Sequence, residues 1–393
     1  MNSVYIVSAT RSAIGSFGGT LKDMRPIDLG IAIAKSAITK SQIEVSALQH
    51  AVIGHVIHTE ARDQYISRAI SIGAGMTEEA PALTVNRLCG SGLQAIVSAT
   101  QLIQLGDATA TMAGGVEVMS KGGYLLPSQR WGTRMGDAKV EDMMVGALHD
   151  PFDIGHMGIT AENVASDFDI SRDDMDAFAA ESQRRAAKAQ AEGWFDSQIT
   201  PIEIKSRKAT ITFDKDEYIR AETNEAGLGA LRAAFQKDGA VTAGNSSGIN
   251  DGSAMLILAS EAVVNQYGLT PLAKIVSYGF GGVAPRIMGM GPVPATKMAL
   301  EKAGLKTTDL DVVESNEAFA AQACAVTKEL GLPSDIVNPN GGAIALGHPV
   351  GATGSIIMTK LIHELHRRSA RMGLATMCIG GGQGISVIID INI

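Results

Sequence analysis

The chain has 393 residues, of which 45% are hydrophobic and 19% charged, and its formal net charge is −8. This length exceeds one ordinary hydrophobic core, so we expect two or more packed units. An acidic chain has no general attraction for nucleic acid or anionic membranes, and an anionic substrate would need a local cationic site.

Short apolar runs that predict β-strands alternate with longer stretches of helical periodicity. Their continuous apolar character is typical of strands covered on both faces, which indicates an α/β fold. The predicted strands are 4–9, 50–56, 109–115, 253–260, 272–279, 311–316, 374–381 and 385–391. A long helix is expected to begin after Ser171, with Asp174 in a capping-box pattern, and to stop at Gly193. Residues 119–249 hold both tryptophans and many charges, and we interpret them as an insertion.

One α/β pattern occurs twice. TATMAGGVEVM (109–119) resembles LATMCIGGGQGISV (374–387), and each follows a helix that a glycine-rich turn opens. One turn begins at Cys89 and the other holds His348. A predicted strand ends 33 residues before Cys89 and another 32 residues before His348. Unless the similarity is chance, two facing halves would bring Cys89 and His348 together at matching helix N-termini.

Cys89 lies in the stretch VNRLCGSGLQAI, between a β-branched approach and a glycine-rich turn. If a helix starts just after it, the positive end of the helix dipole favours the thiolate, which is the nucleophilic form. The flanking glycines let the chain turn sharply and let another group approach the backbone. The alternative interpretation is a small buried hydrophobic residue.

Three further segments carry candidate chemistry beside glycines or strand ends. His348 stands before a predicted helix and could act as a general base, or simply as a capping or packing residue. Cys378 ends a buried strand, and Gly380 opens a run of glycines whose N–H groups suit an oxyanion hole. Asn316 follows a strand and can hold a water or donate to a developing negative charge.

The remaining cysteine and the histidine-rich stretch have simpler explanations. Cys324 lies in an apolar helical run and is interpreted as packing, and three cysteines do not make a disulfide framework. HVIHTEARD (55–63) has loose spacing for a metal site, so no metal is expected. No apolar run reaches about 18 residues, and the opening MNSVYIVSATRSAIG lacks the pattern of a signal peptide. We therefore expect a cytoplasmic protein.

The motifs NRLCGSG (86–92), NEAFA (316–320), GHPVGATG (347–354) and CIGGGQG (378–384) resemble those of the thiolase family, in that family's order. The resemblance covers essentially the whole chain and is strongest to the bacterial biosynthetic and broad-range β-ketothiolase branch. It implies two similar βαβαβαββ halves in a layered α-β-α-β-α core. These would be residues 1–118 with 250–270, and 271–393. A loop domain over residues 119–249 would cover the coenzyme A site.

The resemblance also implies a function. Such enzymes condense two acetyl-CoA, or an acyl-CoA and acetyl-CoA, reversibly to a 3-oxoacyl-CoA and CoA. Cys89 would carry the acyl group after His348 takes its proton, with the N–H groups of Cys89 and Gly380 holding the oxyanion. Cys378 would then remove an α-proton, and His348 and a water on Asn316 would hold the enolate. No cofactor is implied, because coenzyme A is substrate and product.

The family's coenzyme A contacts correspond to a further set of residues. These are His156, Arg220, Phe235, Ser247, Ala318 and Phe319. Gly227 departs from the family, which often has a serine near the adenine at this position. The resemblance further implies a homotetramer made of two tight dimers, with the strand around TVNRLC (84–89) meeting its symmetry mate, and neither nucleic-acid nor membrane partners.

Three alternatives remain at this point. The first is a degradative 3-oxoacyl-CoA thiolase of fatty-acid or aromatic-acid breakdown. The second is a ketoacyl synthase, which shares the fold but needs a Cys–His–His set and a carrier protein. The third is a non-catalytic acyl-CoA-binding protein. The physiological direction, the acyl chain length and the pathway served do not follow from the residues.

Overall fold

The computed structural model describes residues 2–205 and 209–393. All eight predicted strands are confirmed within these ranges. The strands are β1 (Val4–Arg11), β2 (Gly15–Ser16), β3 (His50–Gly54), β4 (Ala82–Val85), β5 (Ala110–Val118), β6 (Tyr124–Leu125), β7 (Glu141–Asp142), β8 (Ile202–Lys205), β9 (Thr210–Phe213), β10 (Asn250–Ser260), β11 (Ala273–Gly282), β12 (Val312–Ser315), β13 (Met372–Ile379) and β14 (Gln383–Asp390).

The α-helices of the described ranges connect these strands. They are α1 (Pro26–Ser41), α2 (Ile66–Gly73), α3 (Ser91–Leu105), α4 (Met143–Ala147), α5 (Met157–Asp167), α6 (Arg172–Ala191), α7 (Glu225–Gly229), α8 (Glu261–Tyr267), α9 (Pro292–Ala303), α10 (Ala320–Leu330), α11 (Ala343–Leu346) and α12 (Val350–Arg368). The predicted capping box of α6 is present, since Ser171 and Asp174 bond to each other's backbone N–H. Among the described residues, no helix combines the length and the apolar character that crossing a membrane requires.

The sheet confirms the internal repeat. Its strands follow the order β12-β13-β14-β11-β1-β10-β5-β3-β4. On one side, β1, β10 and β5 are antiparallel neighbours, and β5, β3 and β4 are parallel. On the other side, β11, β14 and β13 are antiparallel, and β13 and β12 are parallel. The two arrays join where β1 pairs with β11, so β1, β10, β5 and β3 have counterparts in β11, β14, β13 and β12. At the position that would match β4, the described residues of the second half form only an isolated bridge, between Val313 and Val337.

Two helices lie between the halves. Helix α3 contacts β3 and β5 of one half and β14 of the other, whereas α12 contacts β12 and β13 as well as β5 and β10. Helix α1 covers the outer face of the first half, and α9 covers that of the second. This packing gives the α-β-α-β-α layers predicted from the sequence.

The central helices approach each other closely because glycines face the contact. A Cβ on Gly354 would lie 2.2 Å from the backbone N of Leu93, and one on Gly92 would lie 2.8 Å from the backbone N of Ser355. Neither distance is possible for real carbon atoms. The two glycines therefore set the separation of α3 and α12, and with it the distance between the turns at their N-termini.

Apart from α5 and α6, the described residues of 119–249 form only short strands and helices. Helix α6 packs against α10 and α11 of the second half. Aromatic and aliphatic side chains of 124–152 are exposed, among them Trp131 and Met135 at 92% each. The domain limits at 118, 249 and 270 stay a prediction.

Candidate active site

Cys89 lies at the tip of a tight turn that leads into α3. The residue before it, Leu88, has a left-handed φ of 46°, which is unfavourable for a leucine. Ser91 holds the turn, because its hydroxyl donates to the carbonyl of Leu88 (2.6 Å) and accepts the N–H of Arg87 (2.8 Å). The N-terminal position predicted for Cys89 is therefore confirmed.

The prediction that the thiolate form of Cys89 is favoured is wrong. Burial raises the pKa of its thiol; a bond from the backbone N–H of Gly380 lowers it, and the negative charge of Glu117 raises it. The low dielectric around the sulfur outweighs the helix dipole. Cys89 is thus held as a thiol, and it needs a base before it can attack. The Gly380 N–H thus lies beside the sulfur, where it is also close to the carbonyl oxygen of a thioester that the sulfur would attack.

His348 has the geometry of that base. Its Nδ1 lies 2.6 Å from the hydroxyl oxygen of Thr353, and that hydroxyl donates its own proton to the carbonyl of Pro349 (3.0 Å). Nδ1 must therefore carry the hydrogen in this bond, which leaves the lone pair on Nε2. Burial lowers the pKa of His348 to about 4, so the ring is neutral near pH 7.

The remaining contacts of His348 fix its place. Its backbone N–H donates to Oδ1 of Asn250 at 3.0 Å. Gly347 before it has a φ of 104°, and a Cβ there would lie 2.3 Å from the side chain of Asn250. On the other edge of the ring, Nδ2 of Asn316 lies 3.5 Å from Nε2. The predicted His348–Asn316 pair is thus brought together.

Cys378 is the last residue but one of β13 and is buried. Burial raises the pKa of this thiol well above its usual range, and the charge of Cys89 raises it further, so the two sulfurs are close enough to interact. A proton therefore rests on Cys378 in the free protein. Beyond the strand, Gly381 and Gly382 have φ values of 81° and 85°. Only glycine adopts this conformation freely.

A cavity of about 270 Å³ connects Cys89, His348 and Gly380 with most of the predicted coenzyme A contacts, whereas Cys378 and Asn316 do not line it. Its wall includes Cys89, His348, Gly380, His156, Phe235, Ser247, Ala318 and Phe319. The ring of His156 stacks on that of Phe235 at 4.8 Å, and Phe319 meets Phe235 edge-on at 5.9 Å. Apolar and aromatic walls with few polar groups are typical of a small-molecule site.

Arg220 lies outside this cavity. It lines an adjoining, more open pocket of about 490 Å³ that shares Tyr218 and Ile249 with the first. The side chain of Arg220 is exposed and lies over the ring of Tyr218, 5.4 Å from its centre. A cation therefore stands at the mouth of the site rather than inside it. Gly227 is exposed, and a Cβ there would meet only Asn224, at 3.6 Å.

The remaining sequence interpretations concern Cys324 and the histidine-rich stretch 55–63. Cys324 packs against the apolar cluster of the second half, as predicted, and burial raises its pKa to about 12. His55 lies between the carboxylates of Glu117 and Asp63. Within 2–205 and 209–393, no group of three or more His, Cys, Asp or Glu side chains could hold a metal ion.

Sequence reasoning missed three residues that hold the site: Thr353, Asn250 and Glu117. Thr353 follows His348 by five residues on the first turns of α12, where an i−4 hydroxyl bond is common. Glu117 is a lone carboxylate inside an apolar strand, which is a detectable signal because unpaired buried charges are costly. Asn250 offers no such signal, since asparagines are frequent in loops.

Comparison with known proteins identifies close relatives over the whole length. The family model described as thiolase, N-terminal domain, matches residues 4–262, and that described as thiolase, C-terminal domain, matches 269–391. Beta-ketothiolase BktB of Cupriavidus necator is 55% identical over 98% of both chains. Acetyl-CoA acetyltransferase of Escherichia coli is 48% identical over 99% of both.

Solved structures agree with this match. The acetyl-CoA acetyltransferase of Bacillus anthracis superposes with a TM-score of 0.97 at 44% identity, covering 99% of both chains. Human mitochondrial 3-ketoacyl-CoA thiolase in complex with CoA gives 0.96 at 43% identity, covering 100% of this chain and 98% of that one.

Proposed function

Because the chain belongs to the thiolase family, we propose that it is an acetyl-CoA C-acetyltransferase that works through an acetyl-cysteine on Cys89. The observation that carries this proposal is the cavity whose wall holds Cys89, His348 and Gly380 together. The relatives named acetyl-CoA acetyltransferase and β-ketothiolase support it. The reaction joins two acetyl-CoA, or an acyl-CoA and acetyl-CoA, reversibly into a 3-oxoacyl-CoA and CoA.

In the first half-reaction, Nε2 of His348 takes the thiol proton of Cys89, and the sulfur attacks the thioester carbon of acetyl-CoA. The N–H groups of Cys89 and Gly380 stabilise the oxyanion. When the tetrahedral intermediate collapses, the C–S bond to CoA breaks. The CoA thiolate leaves with the proton that rested on Cys378, so His348 keeps the proton from Cys89.

In the second half-reaction, the thiolate of Cys378 removes an α-proton from a second acetyl-CoA. The protonated Nε2 of His348 and a water on Asn316 hold the enolate oxygen. The α-carbon attacks the acetyl group on Cys89, and the Cys89 sulfur leaves and regains its proton from His348. All protons balance, and no cofactor is required because every step is an acyl or proton transfer.

Binding of the coenzyme A portion is assigned to the cavity wall and its mouth. Phe235, Phe319 and His156 offer flat surfaces, and Arg220 supplies the cation that an anionic nucleotide needs in a chain of charge −8. We further propose a cytoplasmic homotetramer. The thiolysis direction is favoured by thioester energetics, so cellular concentrations set the direction of flux.

The decisive experiment is intact-protein mass spectrometry after incubation with acetyl-CoA. Wild type should gain one acetyl group on Cys89, and Cys89→Ala should gain none. Cys378→Ala should still be acetylated but should form acetoacetyl-CoA at least about 10²-fold more slowly. Acetylation of Cys89→Ala on Cys378 would reverse the two roles. A wild type that never becomes acetylated would instead indicate a non-catalytic acyl-CoA-binding protein.

A degradative 3-oxoacyl-CoA thiolase is the second candidate. The human mitochondrial 3-ketoacyl-CoA thiolase is 43% identical, which is close to the 44% of the Bacillus anthracis acetyltransferase. Thiolysis rates across acyl chain lengths separate the two. A kcat/KM that rises beyond four carbons would favour the degradative enzyme.

A further inference from the structure

A buried carboxylate that the proposed mechanism does not use lies behind the active site. Glu117, in β5, is 0% exposed. Its Oε2 accepts the backbone N–H groups of Val56 and Gly351, both at 3.0 Å, and its Oε1 accepts that of Ile57 at 3.1 Å. The carboxylate thus ties β5 and the loop after β3, both in the first half, to α12 of the second half.

Glu117 supplies an N-cap that α12 lacks. The cap residue of this helix is Pro349, which has no side-chain acceptor, and Gly351 is the second residue of the helix. The approach requires a glycine, since a Cβ on Gly351 would lie 2.4 Å from Oε2. His348 immediately precedes the cap. The position of its ring therefore depends on where Glu117 holds the start of α12.

Glu117 belongs to a buried ionic group. Nδ1 of His55 lies 3.3 Å from its Oε1, and Nε2 of His55 lies 3.7 Å from Asp63. Burial opposes a charge on His55, but Glu117 and Asp63 outweigh it and raise its pKa. The ring of His58 stacks on His55 at 5.5 Å.

The same carboxylate is next to the nucleophile. Cys89 packs against a small apolar cluster of Ile57, Met119 and Val350. The backbone N–H of Ile57 donates to Glu117, and so does that of Gly351, which follows Val350. Met119 follows Glu117 by two residues. When it is ionised, Glu117 adds to burial in raising the pKa of the Cys89 thiol, but burial also raises the pKa of Glu117 itself. The other titratable groups on this side of the site are His348, from the turn before α12, and Cys378, from β13.

We propose that Glu117 is a positioning residue of this active site, which caps the start of α12 and thereby holds the ring of His348 where it can take the proton of Cys89. The catalytic consequence rests on the function proposed above. The cap does not, because it is a property of the free protein.

The test is the steady-state kinetics of Glu117→Gln, with kcat and KM for acetyl-CoA measured separately. The carboxylate accepts three backbone N–H groups, and an amide, which has one oxygen and one NH₂, cannot accept them all. The start of α12 should therefore shift, and kcat should fall about 10- to 100-fold with KM near wild type.

Glu162→Gln is the matched control. Glu162 is also buried and accepts two backbone N–H groups at 2.9 Å, but these come from Ala240 and Val241 rather than from α12. Its kcat should equal that of wild type. A wild-type kcat in Glu117→Gln, or an equal fall of kcat in both variants, overturns the proposal.

Gly351→Ala tests the same contact if Glu117→Gln cannot be purified. The added methyl pushes the flexible carboxylate off the start of α12, so kcat should fall about tenfold or more without a large change in KM. Wild-type kcat in this variant would overturn the proposal. A wild type that acetyl-CoA never acetylates would refute the proposed function instead.

Discussion

Thr353 decides which nitrogen of His348 is free. Its hydroxyl proton is committed to the carbonyl of Pro349, so its oxygen can only accept from Nδ1. Without that acceptor the imidazole can rotate or adopt the other tautomer, and Nε2 would no longer offer a lone pair to Cys89.

Thr353→Val should therefore lower kcat for acetyl transfer by about 10²-fold, the scale of general-base catalysis, with little change in KM. Thr359→Val is the control. Thr359 makes the same type of bond in the same helix, to the carbonyl of Ser355 at 2.9 Å, but it makes no hydrogen bond to His348. Steady-state kinetics of both variants suffice, and equal activities would show that Thr353 is not needed to orient the ring.

Arg220 is expected to act on binding rather than chemistry. It stands exposed at the mouth of the site, in the pocket that adjoins the reaction cavity. Arg220→Ala should raise KM for acetyl-CoA while kcat stays much closer to wild type, because the lost interaction stabilises the bound substrate and the transition state equally. An unchanged KM would remove Arg220 from the coenzyme A site.

At the residue scale, sequence reasoning identified the reacting groups better than their environment. The turns at Cys89 and His348 carry glycines that are visible in the sequence, and Gly347 shows the left-handed φ that such turns need. The ionisation of Cys89 could not be predicted, because it depends on burial and on Glu117, which is distant in sequence.

At the scale of elements, the contact between α3 and α12 is set by two glycines. Gly354→Ala would place a methyl 2.2 Å from a backbone atom of α3, and backbone cannot move as a side chain can. We expect the free energy of unfolding to fall by about 3 kcal/mol or more, at or above the upper end of overpacking penalties.

Gly146→Ala is the control for this change. A Cβ on Gly146, in α4, would meet nothing within 4 Å, and its φ is not left-handed. This variant should unfold at nearly the wild-type denaturant concentration. If urea unfolding gives equal midpoints for the two variants, the close approach of the central helices does not limit stability.

The strands were predictable because both their faces are buried, which leaves long apolar runs. Strand β4 is the exception. The sequence suggested a strand around 84–89, but the structure has it at Ala82–Val85, and the following residues form the turn of Cys89. Its burial pattern is intermediate because it is the last strand of the sheet, so hydrophobicity marks it poorly.

For the whole molecule, exposed apolar surface supports the proposed tetramer. Trp131 and Met135 are each 92% exposed, and single chains rarely leave such side chains clustered in water. Light scattering should give four times 41.0 kDa for wild type at micromolar concentration. Trp131→Glu with Met135→Glu should give a dimer. A 41.0 kDa particle for wild type would contradict the assembly.

Asp251 makes stability depend on pH. Burial raises its pKa to about 6, so the folded state prefers the protonated carboxyl. The stability from this group is fully present below the unfolded pKa and is lost as pH rises through about 6. Asp251→Asn can keep the bonds to Ser120 without the charge.

Asp251→Asn should therefore be more stable than wild type at pH 7, by up to about 3 kcal/mol, and the difference should vanish toward pH 4. Asp28→Asn should behave oppositely, because the bond from Arg25 lowers the pKa of Asp28. Urea unfolding of the three proteins at several pH values measures both trends. A constant difference for Asp251→Asn would show that its carboxyl does not titrate in this range.

The position of β10 has a consequence for synthesis. This strand lies between β1 and β5, yet it begins at residue 250, whereas β5 ends at residue 118. At ribosomal rates of about 5–20 residues per second, the edge of β5 stays unpaired for roughly 7–30 s and that of β1 for roughly 12–50 s. The buried face of α3 stays exposed for longer, until α12 near the end of the chain has been synthesised. The nascent protein must therefore stay unassembled, with exposed strand edges, until most of it has been made, which makes chaperone binding during translation the expected route to the native state.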